Sequence, residues 1–319
     1  MQTTDWNRQL WYGGYKWDAQ GEEWSAAWGG SEPQWFGSLY PRLHRVLPAS
    51  SILEIAPGMG RWTKFLLPLC RNYVGVDISL ECVRGCQKTF ADAHHARFMH
   101  KDGYSLSEVE DHSVDLVFSF DTLVHAEFDV LKRLIPQILQ KLNERGVAFI
   151  HHSNMGSVGA EFKDAPDFGL RALSVSYKNI EDLIVQSGGR VIIQEVIDWG
   201  SGKVPRDCLT MLARGDGQQT DPVHLYNLQF MEESSNIRHF HAPYSVRLPD
   251  PTVPDTVSCQ DAVEVDNLAS QTALQRQGTP TKVLPVAADE VADERIAADV
   301  AVPRRGGMES PRSSKHRLQ

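Results

Sequence analysis

The sequence predicts an α/β protein, built on an open, doubly wound, Rossmann-like sheet. Three observations carry this. Short apolar runs at 52–55, 73–78, 114–120 and 147–150 have the composition of strands buried on both faces. Stretches with apolar residues at helical spacing separate them, the alternation that produces parallel strands. The first run, Ile52-Leu-Glu-Ile55, breaks into Ala56-Pro-Gly-Met-Gly60 directly before a helical pattern, so the helix's N-terminal amides face whatever the turn holds.

In chain order, residues 1–40 hold six of the eight tryptophans: Trp6, Trp11, Trp17, Trp24, Trp28 and Trp35. Glycines are interleaved among them, so one regular helix is not expected. Rings this dense must bury against something. Either they cap the sheet or they form a lid whose indoles line an acceptor pocket. Leu39–Leu47, closed by Pro48, reads as a short helix. After the first strand and its turn, Trp62, Phe65, Leu66 and Leu69 mark a helix over 61–69. The second strand, Tyr73–Ile78, carries Asp77, and Ser79 caps a helix running to about Phe90. Arg97–His100 is a short third strand ending at Lys101-Asp102-Gly103. Val114–Asp121 is the fourth, and a helix with Val130, Leu134, Ile138 and Leu142 follows it. Val147–His152 is the fifth strand. Ser174–Ser187 reads as a further helix, and 190–196 and 207–213 as two more strands.

The acids at the strand ends identify a ligand. Glu54 stands just before the glycine turn, where its charge would repel a pyrophosphate but attract the ammonium of a methionine moiety. The dinucleotide fingerprint G-x-G-x-x-G also fails, since Thr63 stands at its third glycine. S-adenosylmethionine is therefore expected rather than NAD. Asp77 lies about 20 residues beyond the turn, where a carboxylate accepts ribose hydroxyls.

Glu54-Ile-Ala-Pro-Gly-Met-Gly60 resembles motif I of the class I S-adenosylmethionine-dependent methyltransferases, E/D-x-G-x-G-x-G, with Ala56 at the first glycine. The resemblance covers roughly residues 50–214. It implies a seven-stranded sheet with an antiparallel closing pair, complete near Arg214. It also implies a cofactor site made of Glu54, Ala56, Gly58, Gly60, Asp77, Ile78, Asp102, Gly103, Phe120 and Asp121, with Asp102 taking the adenine amino group.

In the strand order that this resemblance implies, strands four and five are neighbours. Their ends bring His125, Glu127, His151, His152 and Asn154 to one rim. Successive strand residues point to opposite faces, so His151 and His152 share a pocket only if the strand ends before them. A hydroxyl acceptor needs a base, and histidine titrates near neutrality. His125 is the first choice, with Glu127 or Asp121 to orient it; His151 and His152 are the alternatives. The wording around 118–127 and 149–154 resembles bacterial small-molecule and sugar O-methyltransferases, which implies a small-molecule or glycan hydroxyl as acceptor. A divalent metal held by Asp121, His125, Glu127 and His151 or His152 is a rival reading, although their spacing matches no tight motif and no metal ligand is assigned. A non-catalytic S-adenosylmethionine binder is another.

Composition bounds the rest. A net charge of −9 argues against a general nucleic-acid binder. No apolar run approaches the ~18 residues of a membrane span. The opening Met-Gln-Thr-Thr-Asp-Trp lacks a secretory signal, and the odd set of five cysteines reads as reduced thiols, so a cytoplasmic protein without membrane contact is expected. The organisation expected is a Trp-rich cap or lid over 1–48, the methyltransferase domain over 49–214, an appendage over 215–245, and a disordered tail over 246–319. No aromatic residue follows Tyr244, so the tail has little with which to offset its ordering entropy.

Overall fold

The computed structural model describes residues 7, 9–11, 15–158, 171–200, 204–215 and 221–245. The expected disordered tail, 246–319, lies outside them. Eight strands form one sheet: β1 (Ser51–Ile55), β2 (Asn72–Asp77), β3 (Ala96–His100), β4 (Val114–Ser119), β5 (Leu142–Ser153), β6 (Gly189–Ile197), β7 (Asp207–Arg214) and β8 (Val223–Asn227). Their order is β3-β2-β1-β4-β5-β7-β6-β8. All pairs are parallel except those of β7, which runs antiparallel to both β5 and β6.

The expected seven-stranded sheet is corrected to eight. β6 would otherwise be the sheet's edge, and Val223–Asn227 pairs along it from Ile193↔Val223 to Ile197↔Asn227. The segment supplies Val, Leu and Tyr, which suit a pleated surface. A reading that stopped at Arg214 missed it because five residues are too few to show a period.

Helices α1 (Ser31–Gln34), α2 (Tyr40–Leu43), α3 (Thr63–Leu66), α4 (Leu80–Thr89), α5 (Phe128–Lys141), α6 (Tyr177–Gln186) and α7 (Phe230–Phe240) surround the sheet. Side-chain alternation along the strands builds a separate core on each face. Leu53, Ile55, Val117, Ala148, Ile150 and Leu212 meet the apolar stripe of α5, Val130 to Leu139, and Ile180 and Ile184 of α6. Ile52, Leu116, Phe118, Phe149 and Leu209 meet Leu66, Val83, Trp28, Trp35 and Phe230 on the other face. Ser79 caps α4 by accepting the Cys82 N–H, and Ser176 and Asn179 form a reciprocal cap on α6.

The N-terminal segment divides its work. Trp28 and Trp35 are buried in the second core, with Trp35 stacked on Phe65 at 5.4 Å and Trp28 5.7 Å from Phe230 of α7. Arg42 forks onto Glu195 of β6 and Glu233 of α7, with all four bonds between 2.8 and 3.0 Å. That pairing ties three distant pieces of chain together. Trp11, Trp17 and Trp24 lie elsewhere, against the cleft described next.

Candidate active site

The strand order reverses between β1 and β4, and the cleft opens there, over the carboxyl ends of β1, β2 and β4. The turn after β1 needs left-handed backbone. Ala56 has φ 57°, Gly58 φ 58° and Gly60 φ 90°. This explains why a glycine is usual at position 56 of the motif: a Cβ there costs roughly 1–2 kcal/mol. Ala56 is held in place by its N–H to the Val76 carbonyl at 2.7 Å. Gly60 serves packing rather than ligand approach, because a Cβ would overlap the Phe90 ring.

The three strand-end acids have different environments. Asp77 lines the cleft and accepts N–H bonds from Gly58 at 2.9 Å and Ser79 at 2.7 Å. Burial pushes its carboxyl up to about 6 against the pull of those amides. Glu54 does not line the cleft, contrary to expectation. Its carboxylate accepts from Thr63 Oγ1 at 2.8 Å and from the Tyr73 hydroxyl, beneath the turn. Burial raises it to about 7 although both hydrogen bonds oppose the shift. The reason is geometric: as a strand residue it alternates with cleft-facing Ile55. Asp102 does not line the cleft either. Its Oδ1 accepts the N–H groups of Tyr104 at 3.1 Å and Ser105 at 2.8 Å, so it closes its own loop while Lys101, Gly103 and Tyr104 line the cleft.

The rim residues separate in the same way. β5 stays extended to Ser153, so His151 and His152 face opposite sides. His152 is buried away from the cleft, bonded to Thr210 Oγ1 and the Ser153 carbonyl, and burial lowers its pKa to about 4. His151 is buried against Phe120 and Trp199, with ring centroids at 4.8 and 5.1 Å, and does not line the cleft either. Asp121, at φ 62°, donates its N–H to His151 Nδ1 at 3.1 Å and pairs its carboxylate with Arg61 at 2.9 Å. Glu127 accepts from Leu173 N, Ser174 N and the Ser174 hydroxyl, which anchors the 171–176 segment. Asn154 is likewise a brace, bonded to Pro205 and Tyr177. His125 alone of the four proposed catalytic groups lines the cleft, with its ring 5.4 Å from that of Trp11.

These separate engagements take Asp121, Glu127 and His152 out of the mixed metal site considered from sequence. Among the described residues no group of three or more His, Cys, Asp or Glu is arranged to hold a metal ion.

The cleft has two lobes that share Trp11, Ala56, Asp77, Ile78, Thr122 and His125. Gly103, Tyr104, Leu123 and Ala126 extend the first, a largely apolar slot beside Asp77. Trp17, Trp24, Trp62, Phe120, Arg61 and Asp121 extend the second, an aromatic chamber with one charged pair. Sequence reasoning missed Arg61, although a cation immediately after a glycine turn is a usable signal. It also missed Arg171 and Asp207, which no local pattern marks.

Residues 52–146 match the family model of a methyltransferase domain. None of the curated proteins matches the chain in sequence. Among solved structures, an S-adenosylmethionine-dependent methyltransferase from Clostridium acetobutylicum aligns with a TM-score of 0.46 at 15% identity, covering 60% of this chain and 92% of that one. DhpI in its complex with SAH aligns at 0.46 and 18% identity, covering 67% and 96%. The N-methyltransferase NodS from Bradyrhizobium japonicum, in complex with S-adenosyl-L-homocysteine, aligns at 0.44 and 15%, covering 55% and 85%. The match over residues 52–146 is to a methyltransferase domain, whose cofactor is S-adenosylmethionine. The residues present fit that molecule. Asp77 lies at the junction of the lobes, and Gly58 has no side chain where a Cβ would stand 3.3 Å from Trp17. Arg61 and Asp121 offer both charges to an amino-acid end. Among the described residues, no helix is long and apolar enough to cross a membrane.

Proposed function

We propose that this protein is an O-methyltransferase that methylates a hydroxyl of a small molecule or sugar, with His125 as the general base. The observation that carries the reading is the position of His125. Among the described residues it is the histidine that lines the cleft, and it lies where the two lobes meet. A bound sulfonium supplies an electrophilic methyl carbon. The chain's own task is then to place an acceptor oxygen in line with it and to take the proton.

Asp77 would hold the ribose hydroxyls, with the slot at Gly103 and Leu123 enclosing the base. The indoles of Trp17 and Trp24 line the second lobe and would offer faces on which a sugar or planar ring stacks. An imidazole nitrogen with a free lone pair is the group that can accept the hydroxyl proton. Trp11 covers the His125 ring and Asn7 donates to its backbone carbonyl at 3.0 Å, so the N-terminal segment fixes where the base stands.

The test is transfer of isotopically labelled methyl from S-adenosylmethionine to a panel of glycosides, polyols and phenols, with the product analysed by NMR. Label on oxygen is expected. Label on nitrogen or carbon would refute O-methylation, and cofactor binding without transfer to any acceptor would favour a non-catalytic binder.

A further inference from the structure

A line of buried charges runs from the sheet to the cleft wall. Arg171 forks onto Asp207 of β7, with Nε at 3.0 and 3.1 Å and Nη2 at 2.9 Å. Asp207 Oδ2 lies 3.4 Å from His151 Nε2, within ion-pair range though outside good hydrogen-bond geometry, and both side chains are fully buried. On its other edge His151 Nδ1 accepts the backbone N–H of Asp121 at 3.1 Å. Asp121 in turn grips Arg61 at 2.9 Å, and these two are the members of the line that reach the cleft.

Each link constrains the next. Burial raises the Asp207 carboxyl, but the Arg171 guanidinium and His151 outweigh it and hold the group well below the usual carboxylate range. A permanent anion beside Nε2 favours the tautomer with its proton there, which leaves Nδ1 as an acceptor. Phe120 and Trp199 both pack against the ring and restrict its rotation. Asp121 has φ 62°, a conformation an L-residue adopts only at a cost, so an acceptor for its N–H is what keeps it there.

From this geometry we propose that His151 is a positioning residue rather than a base: set by Asp207 and Arg171, it locks the Asp121–Arg61 pair in the orientation that holds the amino-acid end of S-adenosylmethionine. This rests on the methyltransferase reading above. It assigns the opposite charges of the pair to the cofactor's carboxylate and ammonium groups, and it leaves the adenosine half to Asp77.

Two probes separate the halves. S-adenosylhomocysteine carries the amino-acid end, and 5′-methylthioadenosine lacks it. Calorimetric titration of the full chain should show His151→Leu weakening S-adenosylhomocysteine on the order of tenfold, the scale of one charge-assisted hydrogen bond, with 5′-methylthioadenosine changed less than about twofold. His151→Asn, whose side-chain oxygen can stand near the Nδ1 position, should restore affinity to within about threefold. A double-mutant cycle with Arg61→Ala should be non-additive, because both substitutions act on the same interaction.

Equal weakening of both probes would mean only general damage to the fold and would overturn the proposal. So would an unaffected His151→Leu, or an Asn variant as weak as the Leu. Wild-type protein that binds neither probe would refute the methyltransferase reading and this inference with it.

Discussion

The two lobes of the cleft are built in different ways. The slot around Asp77, Ile78 and Gly103 is seated on the ends of adjacent parallel strands and the turn after β1, with Asn7, Trp11 and Val130 and Leu134 of α5 closing it. The aromatic chamber assembles Trp17 and Trp24 from the N-terminal segment with Arg61, Phe120 and Asp121, braced from behind by β5 and β7. A slot made by backbone turns suits a ligand common to many proteins. A chamber made by side chains from separate segments can change its acceptor without disturbing the sheet.

The largest effect expected is at the junction of the lobes. His125→Ala should lower turnover by ~10²–10⁴-fold and leave cofactor affinity nearly unchanged, since the cofactor's groups lie elsewhere. Near-full activity in this variant would remove the division of labour between the lobes.

On the slot side, Asp77→Asn should cost about 1–3 kcal/mol of cofactor affinity, measured by calorimetry. Because burial raises Asp77 to about 6, wild-type affinity should strengthen as pH rises through 6, where the carboxylate becomes the better acceptor. The Asn variant should lack that slope.

Glu54, beneath the slot, should affect stability instead. Its folded pKa, about 7, lies above its ordinary value, so its contribution is fully present below about pH 4.5 and is lost as pH rises through 7. Glu54→Gln keeps an acceptor for Tyr73 and Thr63 but cannot ionise. At pH 8 it should be more stable than wild type by about 1–2 kcal/mol, raising Tm by a few degrees. A lower Tm at pH 8 would show that the charge itself is needed.

In the chamber, Trp24→Ala should raise KM for a ring-bearing acceptor about three- to tenfold, the range expected for removing one stacking ring, with S-adenosylhomocysteine affinity unaffected. Equal effects on both ligands would merge the lobes into one site. The smallest change expected is Ala56→Gly. Relief of left-handed strain, ~1 kcal/mol, is nearly cancelled by the greater freedom of glycine in the unfolded chain, so denaturant midpoints should barely move.

The sequence by itself determined the sheet's first seven strands, the glycine turn and the place of Asp77, because each depends on residues close together in the chain. Apolar runs, a turn needing left-handed backbone and an acid closing the next strand are all local signals. The cofactor's identity was legible too, although Glu54, whose charge carried that argument, is bonded to Thr63 and Tyr73 rather than lining the cleft. Only the tertiary structure decided which polar residues face the cleft. His151 and His152 are neighbours in sequence and opposites in space, because β5 stays extended one residue beyond them. Asp102 turned inward to its own loop, Glu127 to Ser174, and Gly60 to Phe90, each choosing a partner that no spacing rule names. Arg171 and Asp207 meet 36 residues apart. A buried charge is tolerable only where a partner is within reach, and which partner that is depends on how the sheet folds the chain back upon itself.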